Sequence, residues 1–273
     1  MEAKEIDLAG IKQIQLSLLA EFDAICRNEG YRYSLGGGSL LGAVRHKGYI
    51  PWDDDIDVMM PRTDYERFIS YCSENRTGFA IQFHGNDTEY VDLSTKIYDP
   101  DTIIVEKEIV DKRIDIGVSI DVFVIDGLGE TKEAAVRAFR AKAIQRELVG
   151  AAQWKRFFRS KTHAWYYEPI RMCFFVWSRF INKSKMYEKI EDYYKSIDFE
   201  RAKYVGAVGG SYREREILPR AVFQNYIDMQ FEGKLFKGIS AYDVYLKSIY
   251  GDYMKLPPAE KQVSHHLFHA YYR

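Results

Sequence analysis

Residues 36–68, GGGSLLGAVRHKGYIPWDDDIDVMMPRTDYERF, restrict what this chain can become more than any other stretch. Asp53, Asp54, Asp55 and Asp57 set four carboxylates within five positions, behind a glycine run and a short basic cluster. Repulsion between two such charges ~4 Å apart is roughly 1 kcal/mol in water and several times more in a partly buried site. The run therefore needs positive charge among it, and a hard divalent cation with oxygen ligands meets that need.

The local pattern says how the carboxylates are held. In a strand, residues i and i+2 share a face, so Asp55 and Asp57 project together while Ile56 and Val58 enter a core. Carboxylates arranged this way grip one or two divalent ions, which in phosphoryl transfer activate the attacking oxygen and stabilise the leaving one. Asp53, one pleat earlier, is a further candidate ligand, and Asp54 reads as a solvated hinge. Upstream, 31–35 reads as a short strand running into Gly36-Gly37-Gly38, and 39–45 as a helix. Glycines let backbone amides approach a ligand, and a helix N-terminus favours anions. Gly37, Gly38 and Ser39 are thus candidate phosphate contacts, with Ser39 either capping the helix or donating to phosphate. Arg45 suits bidentate phosphate binding, or complements the helix C-terminus. Pro51 fixes an extended lead-in, and Trp52 beside it is a candidate substrate contact.

The strand signal over 114–125, IDIGVSIDVFVI, carries Asp121 between Ile120 and Val122. A lone carboxylate in an apolar strand is costly unless paired or metal-bound, which makes Asp121 the candidate third ligand. The catalytic candidates are Asp55, Asp57 and Asp121, and the metal candidates are these three with Asp53. Lys96, in a strand predicted over 92–98, either faces solvent or reaches a phosphate. Asp126-Gly127 reads as the turn that closes the long strand. Of the tail histidines His265, His266 and His269, His265 is carried as a candidate base or substrate contact.

Elsewhere, the apolar spacing of Leu8, Ile11, Ile14, Leu18, Phe22 and Ile25 predicts a helix over 8–28, capped by Asp7 and stopped by Gly30. Helices are predicted over 62–75, 132–149, 165–181, 186–197 and 242–250, short strands over 79–83, 102–106 and 204–208, and a hairpin over 226–237 turning at Glu232-Gly233. Between 132 and 185 the chain holds 13 Lys or Arg against 3 Asp or Glu, a local charge of +10 in a protein of net charge −1. Trp154, Trp165 and Trp177 lie in the same segment. Basic residues interleaved with aromatics suit an anionic membrane surface, and equally a helical subdomain with an aromatic core. No motif points to nucleic acid. Cys26, Cys72 and Cys173 are odd in number and far apart, which fits a reducing compartment better than a disulfide framework. No basic-then-apolar leader and no run of about 20 apolar residues is present, so a cytoplasmic protein, peripheral at the inner face of the plasma membrane, is expected.

The 36–68 run resembles the signature of the LicD family of phosphotransferases. Further matches are VSIDVFVIDG at 118–127, residues 212–219 with an acidic residue before Ile217, and YGDYMKLPP at 250–258. The resemblance implies an α+β fold with a nucleotidyltransferase-like mixed β-sheet flanked by helices. It implies a catalytic core over 1–130, a helical basic and aromatic insertion over 131–200, and a C-terminal part over 201–273 that completes the core and acceptor site. It also implies a phosphate-holding start at Gly38 and Ser39, a paired-aspartate strand at Asp55 and Asp57, a third carboxylate matching Asp121, and Asp53 as the leading aspartate of a WDxDxD pattern. Family members move phosphocholine or a polyol phosphate from a CDP-linked donor, using one or two Mg²⁺ or Mn²⁺ ions, to a glycan or lipid-linked glycan of teichoic acid, lipopolysaccharide or capsule. Two alternatives stand beside this. A nucleotidyltransferase would share the fold but move NMP to its acceptor. A non-catalytic divalent-metal module of the calcium loop kind would need a Gly at position six and a Glu at position twelve, which the acidic run lacks.

Overall fold

The computed structural model describes residues 4–106, 116–160, 164–258, 260, 262–263 and 268–273. In chain order the elements are β1 (Glu5–Ile6), α1 (Leu8–Glu29), β2 (Ser34–Leu35), α2 (Gly37–Arg45), β3 (Asp57–Pro61), α3 (Arg62–Glu74), β4 (Ala80–Gln82), β5 (Ser94–Tyr98), β6 (Thr102–Glu106) and β7 (Ser119–Gly129). There follow α4 (Lys132–Ala141), α5 (Ala143–Ala152), α6 (Glu168–Ser178), α7 (Lys183–Lys195), β8 (Tyr204–Ala207), β9 (Leu218–Pro219), β10 (Tyr226–Phe231), β11 (Lys234–Ile239), α8 (Tyr242–Tyr250) and β12 (Phe268–Tyr272). The architecture is α+β, a mixed sheet flanked by helices.

The sheet is built around β7, whose eleven residues exceed every neighbour. One edge pairs in parallel with β3, and the other pairs antiparallel with β5 over its first half and with β8 over its second. The strand order is β2-β3-β7-β5-β4, extended by β8 and β9. Val58, Ile120 and Val122 are fully or almost fully buried, so the apolar parity read from the sequence is the one that enters the core. Strands β1, β12 and β6 form a separate small sheet, and β10-β11 is a hairpin turning at Glu232-Gly233. The first helix has the expected ends. Asp7 accepts a hydrogen bond from the Gly10 amide, and Gly30 closes the helix at φ +68, a left-handed conformation that glycine adopts without steric cost.

Three local expectations are corrected. Asp126 is no turn residue. It lies inside β7, fully buried, and accepts from Arg62 at 2.7 and 3.0 Å. Arg62 also reaches Glu191 on α7 at 3.0 Å. Asp-Gly is a turn dipeptide locally, but a buried guanidinium 64 residues away lets the strand continue. The helix expected over 132–149 is two helices that meet at Lys142. Asp54 is buried at 8 % exposure, its backbone carbonyl taking the Gln15 side-chain amide at 3.0 Å, so it is not a solvated hinge.

The helical stretch after β7 is not detached. Ala135, Ala138, Phe139, Val149, Ile190 and Tyr194 form a second apolar cluster with Leu128 of β7 and Val208. The sheet core proper gathers α1, α2, α3, the hairpin and α8.

Candidate active site

The candidate site starts from strand register. In the parallel pairing of β3 and β7, Asp57 lies opposite Asp121, and in the antiparallel pairing of β5 and β7, Lys96 lies opposite Asp121. Residues opposite one another on adjacent strands share a face about 5 Å apart. Asp57, Asp121 and Lys96 therefore form one row across three strands. The Lys96 ammonium closes to 2.6 Å of Asp121 Oδ1. Burial acts to lower the pKa of that ammonium, but Asp121 and Asp92 outweigh it and leave it raised.

The glycine run is brought against this row. The Gly36 amide donates to the Asp57 carbonyl at 2.8 Å, and the Asp57 amide donates to Ser39 Oγ at 2.9 Å. Ser39 is thus not the helix cap. Helix α2 begins two residues earlier, behind Gly36, and the Ser39 hydroxyl anchors the backbone of the aspartate strand. A Cβ placed on Gly37 (φ +43) would come to 3.1 Å of Asp57 Oδ2, and one on Gly38 to 2.7 Å of Asp53 Oδ2. Two carboxylates crowd the N-terminal turn of a helix, where only glycine leaves room and where the positive end of the helix dipole favours negative charge.

Asp55 sits at the mouth of the site, open to solvent on one side and crowded on the others. Burial, followed by the carboxylates of Asp53, Asp121 and Asp54, raises its pKa to about 7, and it hydrogen-bonds Asp53. Burial and then the charge of Asp55 push Asp57 well above the usual carboxylate range. Asp53, Asp55, Asp57 and Asp121 are a purely oxygen donor set short of positive charge, with Lys96 as the cation in contact with Asp121. Among the described residues, no three His, Cys, Asp or Glu groups by themselves enclose a metal ion. Such a partial oxygen set fits Mg²⁺, which usually takes one or two carboxylates and completes its shell with water and phosphate oxygens.

Arg45 and Trp52 lie beyond the carboxylate row toward the C-terminal end of α2, with Arg45 linked back to the site through Tyr250. Arg45 is eight residues beyond Gly37, roughly 12 Å along the helix. Its guanidinium donates to His46 Nε2 and to the Tyr253 carbonyl, both at 2.8 Å. Burial lowers its pKa, against the opposing pull of Tyr250. The Trp52 ring lies edge-on to His46 at 6.5 Å. The structure brings together Asp53, Asp55, Asp57, Asp121, Lys96, Gly37, Gly38 and Ser39, and holds Arg45 and Trp52 at the far end of α2. His265 and His266 lie outside the described residues.

Sequence reasoning missed the residues that close the site from the C-terminal side. Tyr245 of α8 is buried, and its hydroxyl accepts from the Gly37 amide at 3.2 Å. The Tyr250 hydroxyl would lie 3.9 Å from a Cβ at Gly37, and its ring meets Tyr212 edge-on at 5.1 Å. Glu216 is 4 % exposed, and its Oε2 has no hydrogen-bond partner among the described residues. Burial raises the Glu216 carboxyl to about 7, with the Tyr212 amide pulling it back. Tyr212, Glu216 and Tyr250 all fall in the two C-terminal motif blocks, which was the available signal. A cleft of about 450 Å³ between Thr88–Glu89 and residues 181–188 gathers none of the aspartates.

Residues 30–99 match a family model described as LicD/FKTN/FKRP, nucleotidyltransferase domain. The chain is 30 % identical over 285 aligned positions to the lipopolysaccharide cholinephosphotransferase LicD of Haemophilus influenzae, covering 98 % of this chain and 99 % of that one. Over 29 residues it is 66 % identical to the ribitol 5-phosphate transferase FKRP of Homo sapiens, 11 % of this chain and 6 % of that protein. Over 64 residues, 23 % of this chain and 24 % of the relative, it is 34 % identical to an uncharacterised protein of Rickettsia prowazekii. With similarity running end to end, and with the glycine start, Asp53, Asp55, Asp57 and Lys96 inside the matched domain, the chain belongs to the LicD family.

Proposed function

We propose that this protein transfers phosphocholine from CDP-choline to a sugar hydroxyl of lipopolysaccharide or a related cell-surface glycan. The observation that carries the reading is the Asp57–Asp121–Lys96 row set against the glycine start of α2. It offers fixed negative charge for a divalent ion and fixed positive charge for phosphate oxygens at one place. The choice of choline rests on end-to-end similarity to a cholinephosphotransferase.

Asp53, Asp55, Asp57 and Asp121 would hold one or two Mg²⁺ or Mn²⁺ ions, which supply charge neutralisation on the donor's diphosphate as CMP departs. The amides of Gly38 and Ser39, at a helix start with no intrahelical partner, hold phosphate oxygens. Lys96 shares its charge between Asp121 and a non-bridging oxygen. Asp121 orients the acceptor hydroxyl and takes its proton while the new O–P bond forms and the P–O bond to CMP breaks. Tyr212 and Tyr250 offer ring faces to the quaternary ammonium. In this reading 1–130 carries the donor chemistry, 131–200 is the variable helical part, and 201–273 closes the site on the acceptor side.

The 29-residue match to a ribitol 5-phosphate transferase favours a second reading, in which a polyol phosphate is carried. A donor screen decides between them. Purified protein with Mg²⁺ is given CDP-choline, CDP-glycerol or CDP-ribitol, CMP release is followed, and the acceptor product is weighed. Release from CDP-choline with a phosphocholine mass added to the glycan is expected. Release from CDP-ribitol or CDP-glycerol alone moves the assignment to a polyol phosphate. A product carrying CMP overturns both in favour of nucleotidyl transfer.

A further inference from the structure

Helix α6 and the turn before it have two unlike faces. The inner face is packed. The Arg171 guanidinium lies over the rings of Trp154, Phe157 and Phe158 at 5.0, 5.7 and 5.0 Å. Phe175 meets Trp154 and Phe157, and Ser178 is buried. The outer face is apolar and bare. Tyr166, Ile170, Cys173, Trp177 and Phe180 recur at spacings of four and three, which is one stripe of a helix. All five are exposed, Phe180 by 83 % and Trp177 by 54 %, and Trp165 at the head of the stripe is exposed by 71 %.

A contiguous apolar patch of this kind marks an interaction surface, and the charge around it says which. The acidic residue of the helix, Glu168, is turned inward onto Arg171 and the Ser160 amide. Lys155, Arg156 and Arg159 are exposed in the loop that packs beneath the helix. The surrounding segment 132–185 carries 13 basic and 3 acidic residues. A second copy of the chain would set like charge against like, whereas an anionic lipid surface complements it. Trp, Tyr and Phe beside Lys and Arg is the composition of a helix that lies in the bilayer interface. At eleven residues the helix spans roughly 16 Å, about half of a hydrocarbon core. No described helix is long and apolar enough to cross a membrane.

We propose that the outward face of α6, with Trp165, Tyr166, Trp177 and Phe180 as its anchors, seats this protein on an anionic bilayer. The aromatic rings enter the headgroup region, and the basic charge of the surrounding segment draws the protein to the lipid phosphates. This narrows a 54-residue basic segment to one face of one helix. It stands apart from the carboxylate row, so it holds or fails independently of which donor is used.

The full-length protein is floated with vesicles of phosphatidylcholine, with and without phosphatidylglycerol, at low and physiological salt. Co-flotation with the anionic vesicles, at least about tenfold weaker with pure phosphatidylcholine, is expected, with a blue shift of Trp emission. The double variant Trp177→Ser/Phe180→Ser should lose flotation by about tenfold or more while its unfolding midpoint and its CMP release from a soluble donor stay unchanged. Should that variant unfold, the triple variant Lys155→Glu/Arg156→Glu/Arg159→Glu gives a second reading, with flotation lost only on anionic vesicles. Absence of flotation at low salt overturns the proposal. So does a dimer in sedimentation equilibrium that Trp177→Ser/Phe180→Ser converts to monomer, because the face would then be covered by a second copy.

Discussion

The strand-borne row and helix α6 carry opposite kinds of unrelieved cost. In the row, unfavourable charge is forced together by register. Asp57, Asp121 and Lys96 have no freedom to separate, because each sits on a backbone hydrogen-bonded to its neighbours. On α6, unfavourable apolar surface is left out although the helix has a well-packed inner face. The cost in the first case is electrostatic and in the second hydrophobic. Departures from a quiet, satisfied surface occur where a ligand would remove the cost. In the proposed function the first departure is relieved by a small cation and phosphate, and in the proposed membrane seating the second is relieved by a broad surface.

The largest blow to the row is expected from Asp57→Asn. CMP release should fall by about 10²- to 10³-fold, the scale of losing a preorganised electrostatic group. The unfolding midpoint of the metal-free protein should hold or rise, since one repelling charge is gone. Near-normal turnover in this variant would remove the catalytic role of the row. Next is Arg62→Ala, which breaks the link between the sheet and the helical region. It strands the buried Asp126 and should cost about 3–5 kcal/mol of stability in chemical denaturation. A loss below about 1 kcal/mol would show that Asp126 finds another partner. Gly38→Ala is more local. Its methyl would meet Asp53 Oδ2 at 2.7 Å, and a displacement of this order should lower kcat up to about 10²-fold with the fold intact. Unaltered kcat would mean that Asp53 can move aside without consequence.

The smallest effect is the pH dependence of stability. The folded-state pKa of Asp55 is about 7 against an ordinary 3.8, and that of Glu216 about 7 against 4.5. Between these values the folded protein binds protons that the unfolded chain has lost, so stability falls as pH rises from about 4 to about 7. The unfolding midpoint of metal-free protein should decline over that window, and less steeply in Asp55→Asn. A midpoint that rises with pH across the window in the absence of metal would contradict the crowding at the mouth of the site.

The sequence made legible those features whose cause is local. The Asp7 and Gly30 ends of α1, the alternation of Ile56 and Val58 against Asp55 and Asp57, and the Glu232-Gly233 hairpin depend on neighbours a few positions away. Features that depend on distant partners were hidden. Asp126 reads as a turn until Arg62 is seen beside it. Ser39 reads as a cap until the Asp57 amide is found on its hydroxyl. Lys96 shows no preference between solvent and phosphate until register sets it against Asp121. Tyr245 and Tyr250 are ordinary helix residues by spacing, and they reach the glycine turn only because α8 packs on α2. The aromatics of 132–185 divide between core and surface according to which side of α6 they occupy, and composition carries no such information.

The parallel pairing of β3 with β7 has a consequence for how the molecule comes into being. Two strands joined in parallel need a long crossover, and here 64 positions separate the paired aspartates. Closing so large a loop costs entropy before any contact rewards it. On an emerging nascent chain, the acidic run at 53–57 leaves the ribosome well before Asp121 exists, and Tyr245 follows much later. Each aspartate spends that interval apart from its partners. The row appears only once the central strand is seated, so catalytic competence is among the last properties that the growing chain acquires.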